Sequence, residues 1–175
     1  MRRLRENPVW REKLYKKLPL HGEIIKVRSC KKYDAHLITK LNNDPCTRKY
    51  LGGPLRTTLE ETQRKICETH EDVLYIIETD DGRQVGYIGF LENDDTDGID
   101  ILIIISPEFK RKQIGKQVLD LMVQTWRSLF LNKPIAVTTR IDNSPAKKLL
   151  EGAGFVRKGG YNDKDGRNYA IYKIA

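Results

Sequence analysis

Apolar positions along this chain recur with two spacings, about 2 and about 3.6 residues, and each change of spacing marks an element. Ile24-Ile25-Lys26-Val27-Arg28 reads as a first strand. Tyr33 to Asn42 reads as a short helix, and Asn43-Asp44-Pro45 breaks it. Thr57 and Thr58, followed by Glu60 and Glu61, supply N-cap signals for a helix running to about Thr69, with Leu59, Ile66 and Cys67 as inward positions. Two strands come next, Val73 to Glu78 and Gln84 to Leu91. The turn Thr79-Asp80-Asp81-Gly82-Arg83 between them is a hairpin signal. A polar loop, Glu92 to Gly98, then leads into Ile101 to Ile105, a continuous apolar run of the kind a strand buried on both faces shows.

The segment after that run is the most informative part of the sequence. Ser106-Pro107 ends the run, a basic glycine-containing turn comes next, and an amphipathic helix starts at once, with apolar residues at 114, 118, 121, 122, 126, 129 and 130. A strand, a turn and a helix N-terminus in that order can aim several backbone N-H groups at an anion. The pattern predicts a site for a phosphorylated ligand. Pro134 to Ile141 is a further strand, and Ser144 to Glu151 is a short helix opened by Asp142-Asn143-Ser144 and closed by Gly152 or Gly154. Phe155-Val156 begins another strand, and Asn168 to Ile174 is the last. The sum is a mixed α/β sheet with helices on both faces.

Composition narrows this picture. A chain of 175 residues, 39% hydrophobic, builds one sizeable core rather than two. Residues 1–20 are basic with Trp10 and Tyr15 interleaved and look like an extension outside the core pattern, leaving 21–175 as the domain. The extension is either a helix on the domain surface, a partly disordered arm, or a contact for nucleic acid or a partner. It has no apolar core region of a secretory signal, and no window reaches the roughly 18 apolar residues of a membrane span. Three cysteines, Cys30, Cys46 and Cys67, at no metal-ligand spacing suggest a reducing cytoplasm and no metal. Lys plus Arg number 32 against 24 for Asp plus Glu, a net +8 that favours anionic partners: a nucleotide cofactor, RNA or the ribosome surface.

Ser106 to Gln117, followed about 30 residues on by Asp142-Asn143-Ser144-Pro145-Ala146 and then Gly154-Phe155, resembles the GCN5-related N-acetyltransferase (GNAT) superfamily over about residues 23 to 174. Val27-Arg28, Asn43-Asp44-Pro45 and Tyr50-Leu51-Gly52-Gly53-Pro54 look like the branch of ribosomal-protein N-terminal, spermidine and some aminoglycoside acetyltransferases. The resemblance implies a single-domain, mostly antiparallel sheet splayed at the fourth strand, and acetyl-CoA as co-substrate. Its pantetheine arm would pair with Ile103, Ile104 and Ile105, and its phosphates would meet Lys110, Arg111, Lys112, Gln113, Ile114, Gly115 and Lys116, with Asn143 and Lys147 beyond. One departure is that Gln113 stands where the family usually has the first of two turn glycines, while Gly115 is kept.

The implied reaction is direct attack of an amine on the thioester, which needs a proton acceptor beside the amine. Asp100, before the apolar run, matches the acidic residue that often opens this strand, and burial would raise its pKa; its other reading is the end of a polar loop. Where the superfamily often has an acid tyrosine this chain has Leu150, leaving Asn143 either to hold the cofactor arm or a water, or to cap its helix. Tyr50, Leu51, Gly52 and Gly53, in a loop from Asn43 to Pro54, form the expected acceptor wall. The acceptor stays open between a protein N-terminus and a small-molecule amine, and the state between monomer and homodimer. A different class of function, a non-catalytic RNA- or ribosome-binding module on the same fold, also fits Gln113, Leu150 and the basic arm.

Overall fold

A computed structural model describes residues 9–51, 56–68, 74–93, 98–130 and 134–174. Its strands are β1 Leu20–His21, β2 Ile25–Ser29, β3 Leu74–Thr79, β4 Gln84–Asn93, β5 Gly98–Ile105, β6 Ile135–Arg140, β7 Val156–Asn162 and β8 Asn168–Ile174. The helices are α1 Val9–Tyr15, α2 Ala35–Asn43, α3 Pro45–Leu51, α4 Leu59–Glu68, α5 Ile114–Leu129 and α6 Ser144–Gly152. All eight strands join one sheet in the order β1-β2-β3-β4-β5-β6-β8-β7, and every neighbouring pair is antiparallel except β5 with β6. The short β1 precedes the first strand expected, so the expected fourth strand is β5.

Side-chain alternation along the strands divides the interior into two layers. Tyr75, Ile77, Phe90 and Ile101 face α1 and α5, whereas Ile76, Tyr87 and Ile104 face α2 and α4. In α5 the buried positions are 114, 118, 119, 122, 123 and 126; Leu121, Leu129 and Phe130, expected inward, are half-buried at the margin. α1 lies within the first layer rather than outside the core pattern. Trp10 and Leu14 are buried, and the Trp10 ring stands 5.8 Å from Phe90 and 5.9 Å from Trp126. A seven-residue helix whose two apolar anchors are spaced i,i+4 among charges is too short to show a period.

The Asn43–Pro54 segment is not a loop throughout: the break at Asp44 also starts a helix. Asp44 is extended (ψ 128), its Oδ1 accepts from the Thr47 amide at 2.9 Å, and Pro45 opens α3. Gly52 and Gly53 lie outside the described residues. α4 begins with a reciprocal cap: the Thr58 amide donates to Glu61 Oε2 (3.0 Å) and the Glu61 amide to Thr58 Oγ1 (3.1 Å). Thr62 and Ile66 are its buried residues and Leu59 is half-buried. Cys67, expected inward, is exposed, because one residue past Ile66 turns it about 100° away from the core.

Candidate active site

β5 and β6 run side by side for two residue pairs, Ile99↔Ile135 and Asp100↔Ala136. Beyond them β5 follows β4 as far as Gly86↔Ile105, β6 follows β8 as far as Arg140↔Tyr169, and the two separate. A cavity of about 350 Å³ fills the gap. Ile101–Ile105 form one wall and Val137–Thr139 the other. Gly115, Leu149 and Leu150 border it from α5 and α6, and Cys46, Thr47, Tyr50 and Leu51 from α3. The opening therefore passes through the sheet, between the α5/α6 face and the α3 face.

The basic turn closes the end of the cleft nearest α5. After a single turn of 3-10 helix, Pro107–Phe109, the backbone enters the left-handed region twice, at Arg111 (φ 64) and Gln113 (φ 58). Gln113 thus takes the conformation a glycine would take, with its side chain exposed. The first backbone bond of α5 runs from the Gln117 amide to the Gln113 carbonyl (3.1 Å), so the amides of Ile114, Gly115 and Lys116 have no backbone acceptor among the described residues. They carry the partial positive charge of a helix N-terminus. A Cβ on Gly115 would come within 3.3 Å of Leu149 Cδ2, crowding the space between α5 and α6.

Of the expected cofactor residues, Ile103, Ile104, Ile105, Lys110, Gly115 and Asn143 reach the cleft wall. Ile114 instead faces the core, Lys116 pairs with Asp120 (2.5 Å), and Lys112 lies 5.1 Å from the Phe109 ring. Arg83, unmarked in the sequence, covers the same ring at 5.6 Å, brought there by the β3–β4 hairpin. Lys147 is half-buried on α6, and its amide donates to the Asn143 carbonyl.

Asp100 stands inside β5 rather than ahead of it, at the last pair before the strands part. It is 7% exposed, and its Oδ2 accepts from Thr138 Oγ1 at 3.0 Å. Asn143 is the N-cap of α6: its Oδ1 accepts from the Ala146 amide (3.3 Å) and its Nδ2 donates to Thr139 Oγ1 (3.1 Å). Thr138 and Thr139 complete the wall without any local signal in the sequence, since they come from a strand far along the chain, and Tyr169 joins them from β8.

Residues 25–156 match the family model for the acetyltransferase (GNAT) domain. The chain belongs to the GNAT acetyltransferase family. The fold is shared with a GNAT-family acetyltransferase from Bacillus anthracis (TM-score 0.79, 16% identity, covering 90% of this chain and 98% of that one). It is also shared with spermidine N-acetyltransferase from Vibrio cholerae, solved with CoA and spermine (0.74, 19%, 87% and 96%). A domain from Methanocaldococcus jannaschii is similar as well (0.71, 21%, 86% and 97%). At these identities the likeness is one of fold. No curated protein matches in sequence.

Acetyl transfer to an amine is the reaction of this GNAT acetyltransferase, and acetyl-CoA is the donor the fold uses. At the end of the cleft the turn brings together amides without a backbone acceptor, several cations and the side-chain-free Gly115. Among the described residues no group of three His, Cys, Asp or Glu is placed to hold a metal, and no helix is long and apolar enough to cross a membrane.

Proposed function

We propose that this acetyltransferase takes acetyl-CoA into the β5–β6 gap and passes the acetyl group to a primary amine entering from the α3 side. The two-pair contact between β5 and β6 carries this reading. It leaves the backbone of Ile103, Ile104 and Ile105 without a β6 partner, facing a cavity that ends at the α5 amides. Bound acetyl-CoA supplies an activated acetyl thioester. The amides of Gln113 to Lys116 hold its phosphates, together with Lys110, Arg111, Lys112 and Lys116, and Lys147 on α6.

An amine arrives protonated, with a usual pKa of about 10, and must lose that proton to become a nucleophile. Asp100 accepts it. The carboxylate does not border the cleft itself; Thr138 does, and its hydroxyl already touches Asp100, so Thr138 is the route between amine and base. Asn143, with both ends of its amide engaged, fixes Thr139 and the start of α6. Leu150 has no proton to give, and a thiolate with a usual pKa of about 8.5 leaves without a dedicated acid. Tyr50 and Leu51 of α3 border the acceptor's entrance.

Two measurements test the proposal together. Calorimetry should show CoA and acetyl-CoA binding, and a thiol-release assay over free-amine peptides, polyamines and aminoglycosides should show turnover with at least one class. No binding at millimolar concentration would overturn it.

A further inference from the structure

The positive charge of this chain is concentrated at one end. Residues 1–17 hold seven Lys and Arg against two Glu, and so carry five of the net +8. α1 does not offer its share to the donor's phosphates. Trp10 seats α1 against Trp126, about 18 Å along α5 from the amides of the basic turn. Exposed charges further apart than about 8 Å are largely screened at physiological salt. Charge held away from the cleft calls for an anionic partner of its own.

The surface beside α1 has the form to receive one. β1 pairs with β2 at two positions, Leu20↔Val27 and His21↔Lys26, and β2 runs on to Ser29 with no outer strand among the described residues. An open groove of about 240 Å³ occupies that place, lined by Tyr15, Leu18, Pro19, Lys26, Arg28 and Ser29. Tyr15, at the end of α1, is 41% exposed. The Arg28 guanidinium lies 5.7 Å from the ring of Tyr33, which is 67% exposed on a single turn of 3-10 helix. Two open aromatic rings thus adjoin one cationic groove. Arg28 and Lys26 already answer Asp34 and Glu78. The charge left for a partner comes from the exposed Lys17 and Lys32, which form no ion pair among the described residues.

Charge alone fits a lipid surface, an acidic peptide or a nucleic acid, and the side chains choose among them. A basic helix enters lipid by its apolar face, and in α1 the residues of that face, Trp10 and Leu14, are already buried in the core. An acidic peptide gains nothing from flat exposed rings, whereas unpaired bases stack on them while lysines follow the phosphates. A duplex keeps its bases from such rings. We propose that α1 and the open edge of β2 form a docking surface for single-stranded nucleic acid, separate from the acetyl-transfer cleft. Three strand spacings, about 14 Å, separate β2 from β5, so a strand held there leaves the cleft free.

The test is fluorescence anisotropy of the full chain with a labelled oligouridine, the same strand annealed into a duplex, and a polyglutamate peptide, with co-sedimentation for phosphatidylserine vesicles. The single strand should bind tightest, and its affinity should fall about tenfold or more between about 50 and 200 mM salt. Tyr15→Ala and Tyr33→Ala remove no charge and change exposed side chains, so they should fold normally by circular dichroism. Each should keep the salt slope and weaken binding about tenfold. Lys17→Glu combined with Lys32→Glu should weaken binding and flatten the slope. None of these residues borders the cleft, so the acetyl-CoA Kd should not change. The basic turn is the competing cluster of cations, and displacement of the strand by saturating CoA would place it there and overturn the proposal. An unchanged Kd in both tyrosine variants, a duplex bound as tightly as the single strand, or a preference for vesicles or polyglutamate would overturn it as well.

Discussion

Gln113 holds a left-handed backbone with a side chain at the start of α5, a conformation that costs a non-glycine residue about 1–2 kcal/mol. Gln113→Gly should therefore stabilise the protein by about 1 kcal/mol in chemical denaturation and bind CoA at least as tightly; a loss of stability would mean that the glutamine side chain supports the turn. At Asp100 the expectation concerns rate. Asp100→Asn should lower kcat by about 100-fold or more with an unchanged melting temperature, and Thr138→Val should lower it by less, since water can replace the hydroxyl. Near-normal turnover in Asp100→Asn would remove the carboxylate from the proton path. The residue types at this site were legible in the sequence: an acid before an apolar strand, a basic turn, an asparagine before a helix. Their partners were not. Thr138 meets Asp100 across 38 positions of chain, so only the closed sheet reveals the pair.

α3 has no buried side chain although it borders the cleft. It is held from its N-terminal end. Asn42 Oδ1 accepts from the Tyr87 hydroxyl at 2.6 Å, and burial pushes that hydroxyl's pKa above its usual range so that it stays a donor. Asn43 bonds Thr57 twice, Nδ2 donating to the carbonyl (2.8 Å) and Oδ1 accepting from the amide (3.0 Å). Asn43→Ala should release this clamp, speed hydrogen exchange across 45–51, and raise the acceptor KM while the acetyl-CoA Kd stays put. Equal losses for both substrates would show that the clamp supports the whole cleft. Long periodic elements such as α5, and hairpins with strong turn chemistry such as β3–β4, were readable because many positions repeat one signal. α1 and α3, seven residues each, were not, since one helical turn of apolar anchors is indistinguishable from chance.

Across the whole molecule the sheet is tied at its far side by a buried ionic network. Arg28 bonds Asp34 (2.8 and 2.9 Å) and Glu78 (2.7 Å), and Lys26 reaches Glu78 at 3.1 Å. Burial pushes the Glu78 carboxyl upward, but hydrogen bonds from Arg28 and Lys26 outweigh it and hold the group below its usual 4.5. The folded-state pKa is depressed, so this contribution is fully present above about pH 4.5 and is lost as pH falls through the lower folded value. Thermal unfolding followed from pH 7 to pH 3 should show the decline below pH 4.5. Arg28→Met should cost about 3 kcal/mol or more at neutral pH, by leaving buried carboxylates uncompensated, and should show a smaller acid decline. A wild-type decline beginning well above pH 5 would place the acid sensitivity elsewhere.

The brief contact between β5 and β6 bears on how this chain can diverge. The groups that β5 leaves without a β6 partner are peptide units, and every residue but proline brings the same ones. Positions 101–105 must sustain a strand and fill the two core layers, where Ile101 and Ile104 are buried, so apolar substitutions that preserve the extension leave the free peptide edge intact. Superposable relatives at 16–21% identity are what such a design permits. Under the proposed reading, selection on the donor acts on where the backbone goes, and selection on the acceptor is left to the side chains of α3 that border the cleft.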